Sequence, residues 1–262
     1  MSGSDPFVSL RGVEVIYGNG TVALKPLDLD IADNELTVLL GPSGAGKSSL
    51  LRVLNHLVVP TRGTVSVRDL GALAGGPELR QHRRETGMIF QQHQLVGRLT
   101  ALQNVLMGRI GHYSSWRTLL PLPAEEQSWS LECLERVGLF DKALVRCDSL
   151  SGGQQQRVGI ARALAQRPRM MLADEPVASL DPAASERILA LLGEICRQDR
   201  IPAVVSLHQL DYARMFADRI VGLSHGEVVF DGSPDELDSQ VLTQIYGTAT
   251  GSAPEPGSLR VA

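Results

Sequence analysis

Hydrophobic and polar residues alternate along two stretches near the start of the chain, which predicts two β-strands that each bury one face. These stretches cover 7–17 and 22–31, and they are followed by the run LTVLL at Leu36–Leu40, which is apolar almost throughout. A strand of that kind is buried on both faces, as in a parallel sheet. Further short strands are predicted at 64–67, 88–90, 170–173, 203–207, 219–223 and 227–230, the last two joined by a turn at 225–226.

Helical spacing dominates the middle of the chain. Segments such as LTALQNVLMG and AEEQSWSLECLERVG place apolar residues three and four positions apart, which is typical of amphipathic helices. We therefore predict a helical subdomain over about 97–167, inserted into an α/β core formed by 7–96 and 168–247. Two more helices are predicted at 48–57 and 235–246. The segment 248–262 is rich in Gly, Ser, Pro and Ala, which predicts a disordered tail.

Length and composition exclude several classes of protein. The 262 residues, 43% of them hydrophobic, suffice for one large domain with a substantial core. No apolar run approaches the roughly 20 residues that span a bilayer, and the opening MSGSDP lacks the pattern of a signal peptide. We therefore expect any role at a membrane to depend on a partner protein.

Charge and cysteine content narrow the choice further. The net charge of −4 disfavours a nucleic-acid binder, and we interpret the cluster Arg80, Arg83 and Arg84 as a solvated helix face. The three cysteines, which are Cys133, Cys147 and Cys196, lack metal-ligand spacing. They are expected to be reduced thiols of a cytosolic protein.

The strongest chemical signal is the segment GPSGAGKS at 41–48. Its glycines allow the backbone to wrap closely around a phosphate with N–H groups pointing inward, and the strand before it and the helix after it are the context that a phosphate-binding loop requires. Lys47 is expected to reach the β- and γ-phosphates, and the Ser48 hydroxyl to bind Mg²⁺. The predicted nucleotide-binding residues here are Gly41, Pro42, Ser43, Gly44, Ala45, Gly46, Lys47, Ser48 and Ser49.

Two carboxylates follow the apolar strand at 170–173. A carboxylate at the end of a buried strand beside a phosphate loop is placed to hold Mg²⁺ through water, and we assign that role to Asp174. Glu175 is then free to orient and polarise the attacking water. The alternative is an ordinary strand end with two acids, which the phosphate loop upstream disfavours.

A third segment, LSGGQ at 150–154, has little use within a single subunit, although Ser151 would serve as an ordinary helix N-cap. Together GPSGAGKS, LSGGQ and LADEP resemble the ATPase subunits of ABC transporters over about 7–246. The resemblance implies a P-loop NTPase (RecA-like) α/β core with an antiparallel β subdomain and an inserted α-helical subdomain. It also implies ATP and Mg²⁺ as cofactors, and a head-to-tail dimer in which the signature residues of one copy face the γ-phosphate held by the other. Those residues are Ser151, Gly152, Gly153 and Gln154.

The same resemblance assigns four smaller elements. Gln91 resembles the glutamine that reaches Mg²⁺ and the water, with Gln92 as the alternative register, and Asp181 resembles the loop that crosses the dimer interface. His208 resembles the histidine that contacts the γ-phosphate. Tyr17 resembles the aromatic residue that stacks on adenine, but it could instead be a packed residue at the end of a strand.

Several phrases are most similar to ATPases of phosphonate importers, among them GRIGHYSSWR and SLHQLDYA. Importers of phosphate, phosphite, methionine or polar amino acids remain alternatives, and a soluble ABC ATPase without a transport role is a distant one. The resemblance implies separate permease subunits and, indirectly, a periplasmic binding protein, with this chain at the cytoplasmic face of the membrane. Tyr113, Trp116, Leu119 and Leu120 either line the permease contact or pack inside the insertion.

Overall fold

The computed structural model describes residues 5–91, 94–114, 116–117 and 120–247. The predicted tail at 248–262 therefore lies outside the described residues, and so do the N-terminal MSGS, Gln92 and Leu119. The described chain forms two β-sheets and eight α-helices, and the helices between the strands Thr86–Ile89 and Met170–Asp174 of the larger sheet cover 101–165.

The smaller sheet is antiparallel and has the strand order β2-β1-β4-β5. Val8, Leu10, Val13 and Val15 of the first strand are buried, whereas the residues between them are more exposed. This alternation produces a sheet with one apolar face. The strands are β1 (Val8–Ile16), β2 (Val22–Ile31), β4 (Arg62–Val67) and β5 (Gly71–Ala72).

The larger sheet has six strands in the order β10-β9-β3-β8-β7-β6, and β10 alone runs antiparallel to its neighbour. Every residue of β3, β6, β7 and β8 is buried, as expected for parallel strands covered on both faces. The strands are β3 (Leu36–Leu40), β6 (Thr86–Ile89), β7 (Met170–Asp174), β8 (Ala203–Leu207), β9 (Arg219–Ser224) and β10 (Glu227–Gly232).

Each central strand contributes to two hydrophobic cores. On β8, Val204 belongs to a core shared with the first helix and the smaller sheet, whereas Val205 belongs to a core shared with the inserted helices. This follows from the period of two in a strand, which sends successive side chains to opposite faces. The phosphate-loop side and the helical-subdomain side of the molecule are therefore packed on one rigid sheet.

The helices are α1 (Lys47–Leu54), α2 (Gly76–Arg84), α3 (Ala101–Leu106), α4 (Ala124–Arg136), α5 (Gly152–Ala165), α6 (Pro182–Asp199), α7 (Leu210–Phe216) and α8 (Ser239–Tyr246). Helices α3, α4 and α5 pack on one another as the inserted subdomain. A buried ion pair between Arg109 and Glu126, with N–O distances of 2.7 and 2.9 Å, joins the turn after α3 to α4. Within the described ranges, no helix combines the length and the apolar character needed to cross a bilayer.

Two helix boundaries differ from the sequence prediction. Helix α1 ends at Leu54 rather than at 57, because His56 adopts a left-handed backbone with φ of 51° that stops the helix. Helix α8 begins at Ser239 rather than at 235, because the Asp238 side chain accepts a hydrogen bond from Val241 N–H and caps the helix there. The exposed arginines of the 80–84 cluster lie on α2, as expected.

Burial of His82 makes the stability of the fold depend on pH. Its Nε2 lies 2.7 Å from the Leu54 carbonyl oxygen and donates to it. Burial lowers the pKa of His82 from 6.5; His56 and Arg83 add to this, whereas the Leu54 bond and Glu85 oppose it. The folded chain therefore binds a proton at His82 less readily than the unfolded chain does. The contribution of His82 to stability is thus present above pH 6.5 and is lost as the pH falls below that value.

We predict that the free energy of unfolding falls between about pH 7 and pH 5 and that His82→Gln, which keeps an N–H donor but does not titrate, makes this dependence shallower. Urea unfolding at a series of pH values measures the slope. His225→Asn is the matched control, because His225 is exposed in a turn with φ of 48°, which asparagine tolerates. An identical slope for His82→Gln and the unmodified chain would contradict the prediction.

Candidate nucleotide-binding site

The phosphate loop connects β3 to α1 and has backbone geometry that requires glycine at two positions. Gly41 has φ of 155° and Gly46 has φ of 107°. A Cβ atom on Gly41 would lie 2.3 Å from the Leu223 carbonyl oxygen, and one on Gly46 would lie 2.7 Å from that of Ala23. The loop can therefore pack this closely against β9 and β2 only with glycine at both positions.

Lys47, the first residue of α1, is only 5% exposed. Its Nζ donates to the carbonyl oxygens of Gly41 at 2.7 Å and Pro42 at 3.0 Å, and it lies 3.3 Å from His208 Nδ1. Burial lowers the pKa of Lys47, and the nearby carboxylates of Glu175 and Asp174 partly oppose this. A buried ammonium hydrogen-bonded to neutral groups favours a bound anion, because a negative charge would compensate its desolvation.

Asp174 links the phosphate loop to the sheet. It is the last residue of β7, and its Oδ1 accepts hydrogen bonds from Ser48 Oγ and Ser206 Oγ, each at 2.9 Å. Ser48 belongs to α1, whereas Ser206 belongs to β8. One carboxylate oxygen therefore joins three separate elements at the carboxyl edge of the parallel sheet.

Glu175 follows in a left-handed backbone conformation with φ of 47°, which is uncommon for a residue other than glycine. Its Oε2 accepts a hydrogen bond from Gln91 Nε2 at 3.0 Å, and its Oε1 is hydrogen-bonded to His208 Nε2. Among the three predicted catalytic side chains, Glu175 therefore contacts both Gln91 and His208.

An open cavity of about 400 Å³ lies over this group, within the size range of small-molecule sites. It is lined by Thr21, Val22, Ala23, residues 43–49, Gln91, Glu175 and His208. Gly41 and Pro42 form the start of the loop outside the cavity, and Asp174 lies behind Ser48. Tyr17 does not line the cavity, but its hydroxyl is 3.0 Å from Ser49 Oγ, which holds the ring beside the phosphate loop.

The remaining predicted site residues surround a second cavity, of about 610 Å³. Ser151 caps α5 with a reciprocal capping box to Gln154, and Asp181 caps α6 by accepting from Ala184 N–H at 2.9 Å. The wall includes Ser151, Gly152, Gly153, Gln154, Asp181, Arg136, Arg157 and Arg187. The two cavities share no lining residue, so the chain divides the predicted nucleotide-binding residues between two places.

Two oxygen donors beside the first cavity fit a magnesium ion. Ser48 Oγ and Asp174 Oδ1 lie 2.9 Å apart, and hydroxyl, carboxylate and amide oxygens are the ligands that Mg²⁺ prefers. In the described part of the chain, no three His, Cys, Asp or Glu side chains converge to hold a metal by themselves. Phosphate and water oxygens would therefore have to complete the coordination, which is usual for Mg²⁺.

Sequence reasoning missed several residues that the structure brings to these cavities. Ser206 was hidden in the apolar strand AVVSL, and its only signal was a polar residue where the pattern expects an apolar one. Three arginines of the second cavity, at 136, 157 and 187, lie on three different helices. No spacing in the sequence could have indicated that they converge.

Comparisons with known proteins identify the family. The family model described as ABC transporter matches residues 24–178. The Phosphonates import ATP-binding protein PhnC 3 of Nostoc sp. is 54% identical over 242 residues, which are 92% of each chain. The Phosphite import ATP-binding protein PxtA of Stutzerimonas stutzeri is 56% identical over 250 residues, which are 95% of this chain and 90% of that protein.

Solved structures of ATP-binding cassettes have the same fold as this chain. The dimeric, post-hydrolysis structure of the ATP-binding cassette MJ0796 bound to ADP and Pi has a TM-score of 0.76 and 38% identity, and covers 87% of this chain and 98% of that one. The ADP conformation of the cassette MJ1267, with a TM-score of 0.80, 24% identity, and coverage of 92% and 98%, supports the fold alone. The predicted P-loop NTPase fold with its antiparallel and helical subdomains is confirmed. The chain belongs to the ABC transporter family, as an ATP-binding cassette that hydrolyses ATP.

Proposed function

We propose that this chain is the ATP-hydrolysing motor subunit of an importer for phosphonates, acting on a separate membrane permease. The observation that carries the proposal is the similarity, over nine-tenths of the chain, to ATP-binding proteins of phosphonate import. Phosphite is the second candidate substrate, because the phosphite import protein is 56% identical over 250 residues. Substrate recognition belongs to other subunits in this proposal, so no side chain described above selects the substrate.

The geometry of the first cavity supports separate roles for its residues in phosphate binding, Mg²⁺ binding and activation of water. Lys47 and the N–H groups of the phosphate loop bind the β- and γ-phosphates at the N-terminus of α1. Ser48, Asp174 and Gln91 would hold Mg²⁺, which supplies charge neutralisation on the phosphates when it is bound. Glu175, flanked by Gln91 and His208, orients the attacking water and accepts its proton.

The separation of the two cavities supports a site completed by a second copy. The N-terminus of α5, which is the positive end of the helix dipole, suits an anion, yet the phosphate loop of the same chain lines a different cavity. In a head-to-tail dimer, the α5 N-terminus of one copy faces the γ-phosphate on the phosphate loop of the other. The cassette MJ0796, which is similar to this chain, has dimeric structures, and this supports a site that two copies share.

Exposed apolar residues of the inserted subdomain support a permease contact. Met107 and Ile110 are partly exposed and line a groove of about 160 Å³, and Trp116 is 84% exposed. Leu120 is also exposed, but Tyr113 donates its hydroxyl proton to Glu126 at 2.9 Å and so belongs to the packing of the insertion. Docking of a permease on this surface would hold the chain at the cytoplasmic face of the membrane.

We predict that Glu175→Gln binds ATP normally but hydrolyses it about 10²- to 10⁴-fold more slowly, because the amide cannot accept a proton from water. Phosphate release and titration with a fluorescent ATP analogue measure the two effects. Glu194→Gln is the matched control, since Glu194 is exposed on α6. Hydrolysis by Glu175→Gln at the rate of the control would remove Glu175 from the catalytic role.

We predict that Gly152→Asp abolishes hydrolysis while a single subunit still binds ATP. The nearest atom to a Cβ at this position is Leu180 Cδ2 at 3.6 Å, so the fold has room for a Cβ atom here. The added carboxylate would repel the γ-phosphate across the dimer interface. Gly152→Asn has the same shape without the charge and should retain more activity; equal and normal turnover in both variants would refute action between subunits.

We predict that ATP hydrolysis by the complete transporter is stimulated by its binding protein loaded with an alkylphosphonate. The assay compares vesicles reconstituted with this chain, its permease and its binding protein. Phosphite, phosphate and methionine are tested in parallel. Stimulation by phosphite alone would favour the second candidate, and stimulation by methionine or by no ligand in this set would contradict the proposed substrate class.

A further inference from the structure

A single buried hydroxyl lies beneath both carboxylates of the proposed catalytic centre. Ser206 is the fourth residue of β8, is fully buried, and pairs in register with Asp174 of the neighbouring parallel strand β7. Because side chains alternate along a strand, Ser206 lies on the same face as Val204, toward the core that contains α1. An apolar residue would fill this position without any need for hydrogen bonds.

The Ser206 hydroxyl donates one hydrogen bond to Asp174 and accepts another from Glu175. Ser206 Oγ donates to Asp174 Oδ1 at 2.9 Å, and the same oxygen accepts from the backbone N–H of Glu175 at 2.9 Å. A serine hydroxyl has one O–H to donate and two lone pairs to accept with. The bond to Asp174 uses its single donor, and the bond from Glu175 uses one lone pair. Ser206 therefore contacts the carboxylate of one acid and the backbone of the next.

These bonds fix the direction in which Asp174 presents its carboxylate. Ser48 and Ser206 both donate to Oδ1, and within the described chain no hydrogen bond ends on Oδ2. Two donors on one oxygen set the rotation of the carboxylate about its last bond. Loss of the Ser206 donor would leave that rotation to Ser48 alone, and Ser48 is itself a proposed magnesium ligand.

The bond to Glu175 acts on the backbone. Strand β7 ends at Asp174, so the Glu175 N–H lies beyond the ladder of the sheet and depends on Ser206 for its partner. Glu175 has φ of 47°, a conformation that persists only when surrounding contacts hold it. This turn directs the Glu175 side chain to Gln91 and His208.

We infer that Ser206 is a positioning residue for the reaction: its hydroxyl orients the Asp174 carboxylate for Mg²⁺ and holds the Glu175 backbone in its left-handed turn. It acts through these two residues and does not touch the nucleotide. The inference rests on the proposed function for its effect on hydrolysis. Its effect on Mg²⁺-dependent nucleotide binding does not require that hydrolysis occurs.

The test is Ser206→Ala, which removes only the hydroxyl. Groups that hydrogen-bond to metal ligands typically change metal affinity or activity by about 10- to 100-fold when they are removed. We expect the Mg²⁺ concentration for half-maximal nucleotide binding to rise by about tenfold and kcat to fall by about as much, with affinity for ATP in EDTA unchanged. Ser130→Ala is the matched control, because Ser130 is a fully buried serine of α4 whose hydroxyl has no partner among the described residues.

The outcomes separate positioning from simple packing. A rise in the Mg²⁺ requirement for Ser206→Ala, but not for Ser130→Ala, supports the inference. A wild-type Mg²⁺ requirement in Ser206→Ala overturns it, and so does an equal loss of ATP affinity with and without Mg²⁺. If circular dichroism shows that Ser206→Ala is unfolded, the same criteria apply to Ser206→Cys, which is close in size and has only a weak donor, so its Mg²⁺ requirement should be intermediate.

Failure of the proposed function can be distinguished from failure of the inference about Ser206. If the complete transporter, with its permease and loaded binding protein, binds Mg-ATP but hydrolyses none, the motor assignment fails. The titrations with and without Mg²⁺ would still report on Ser206.

Discussion

The shared hydrogen bonds on Asp174 Oδ1 are the constraint on which the site depends. They tie α1 and β8 to the end of β7 and so fix the phosphate loop relative to both acids. The strand order makes this possible, because β3, β8, β7 and β6 are adjacent and parallel. Their carboxyl ends meet at one edge of the sheet. The phosphate loop follows β3, His208 follows β8, the acidic pair lies at the end of β7, and Gln91 lies after β6.

The buried Lys47 ammonium is a second constraint on the geometry of the phosphate loop. The carbonyl oxygens of Gly41 and Pro42 turn inward to accept from it, and that turn requires the glycine geometry of the loop. His208 contacts both Lys47 and Glu175. A change at any one of these groups therefore reaches the others through direct contacts.

The sequence was most informative where chemistry requires adjacent residues. The phosphate loop, the acidic pair and the strand Leu36–Leu40 are local patterns, and their predicted positions agree with the structure. Helix ends at Leu54 and Ser239 were missed because a left-handed His56 and a capping Asp238 decide them, and neither residue interrupts the hydrophobic pattern. Ser206 was missed because its role depends on the register between β8 and β7, which no single segment reveals.

If one chain holds only half of the residues that surround the triphosphate, Mg-ATP must bring two copies together. Light scattering on purified Glu175→Gln with Mg-ATP and with Mg-ADP measures this association, since slow hydrolysis preserves the ATP-bound form. We expect a particle of about twice the 28.3 kDa of one chain with Mg-ATP and a single chain with Mg-ADP. A shared site would be refuted if the variant, saturated with Mg-ATP, stays monomeric in solution and its two copies also stay apart in the complex with the permease.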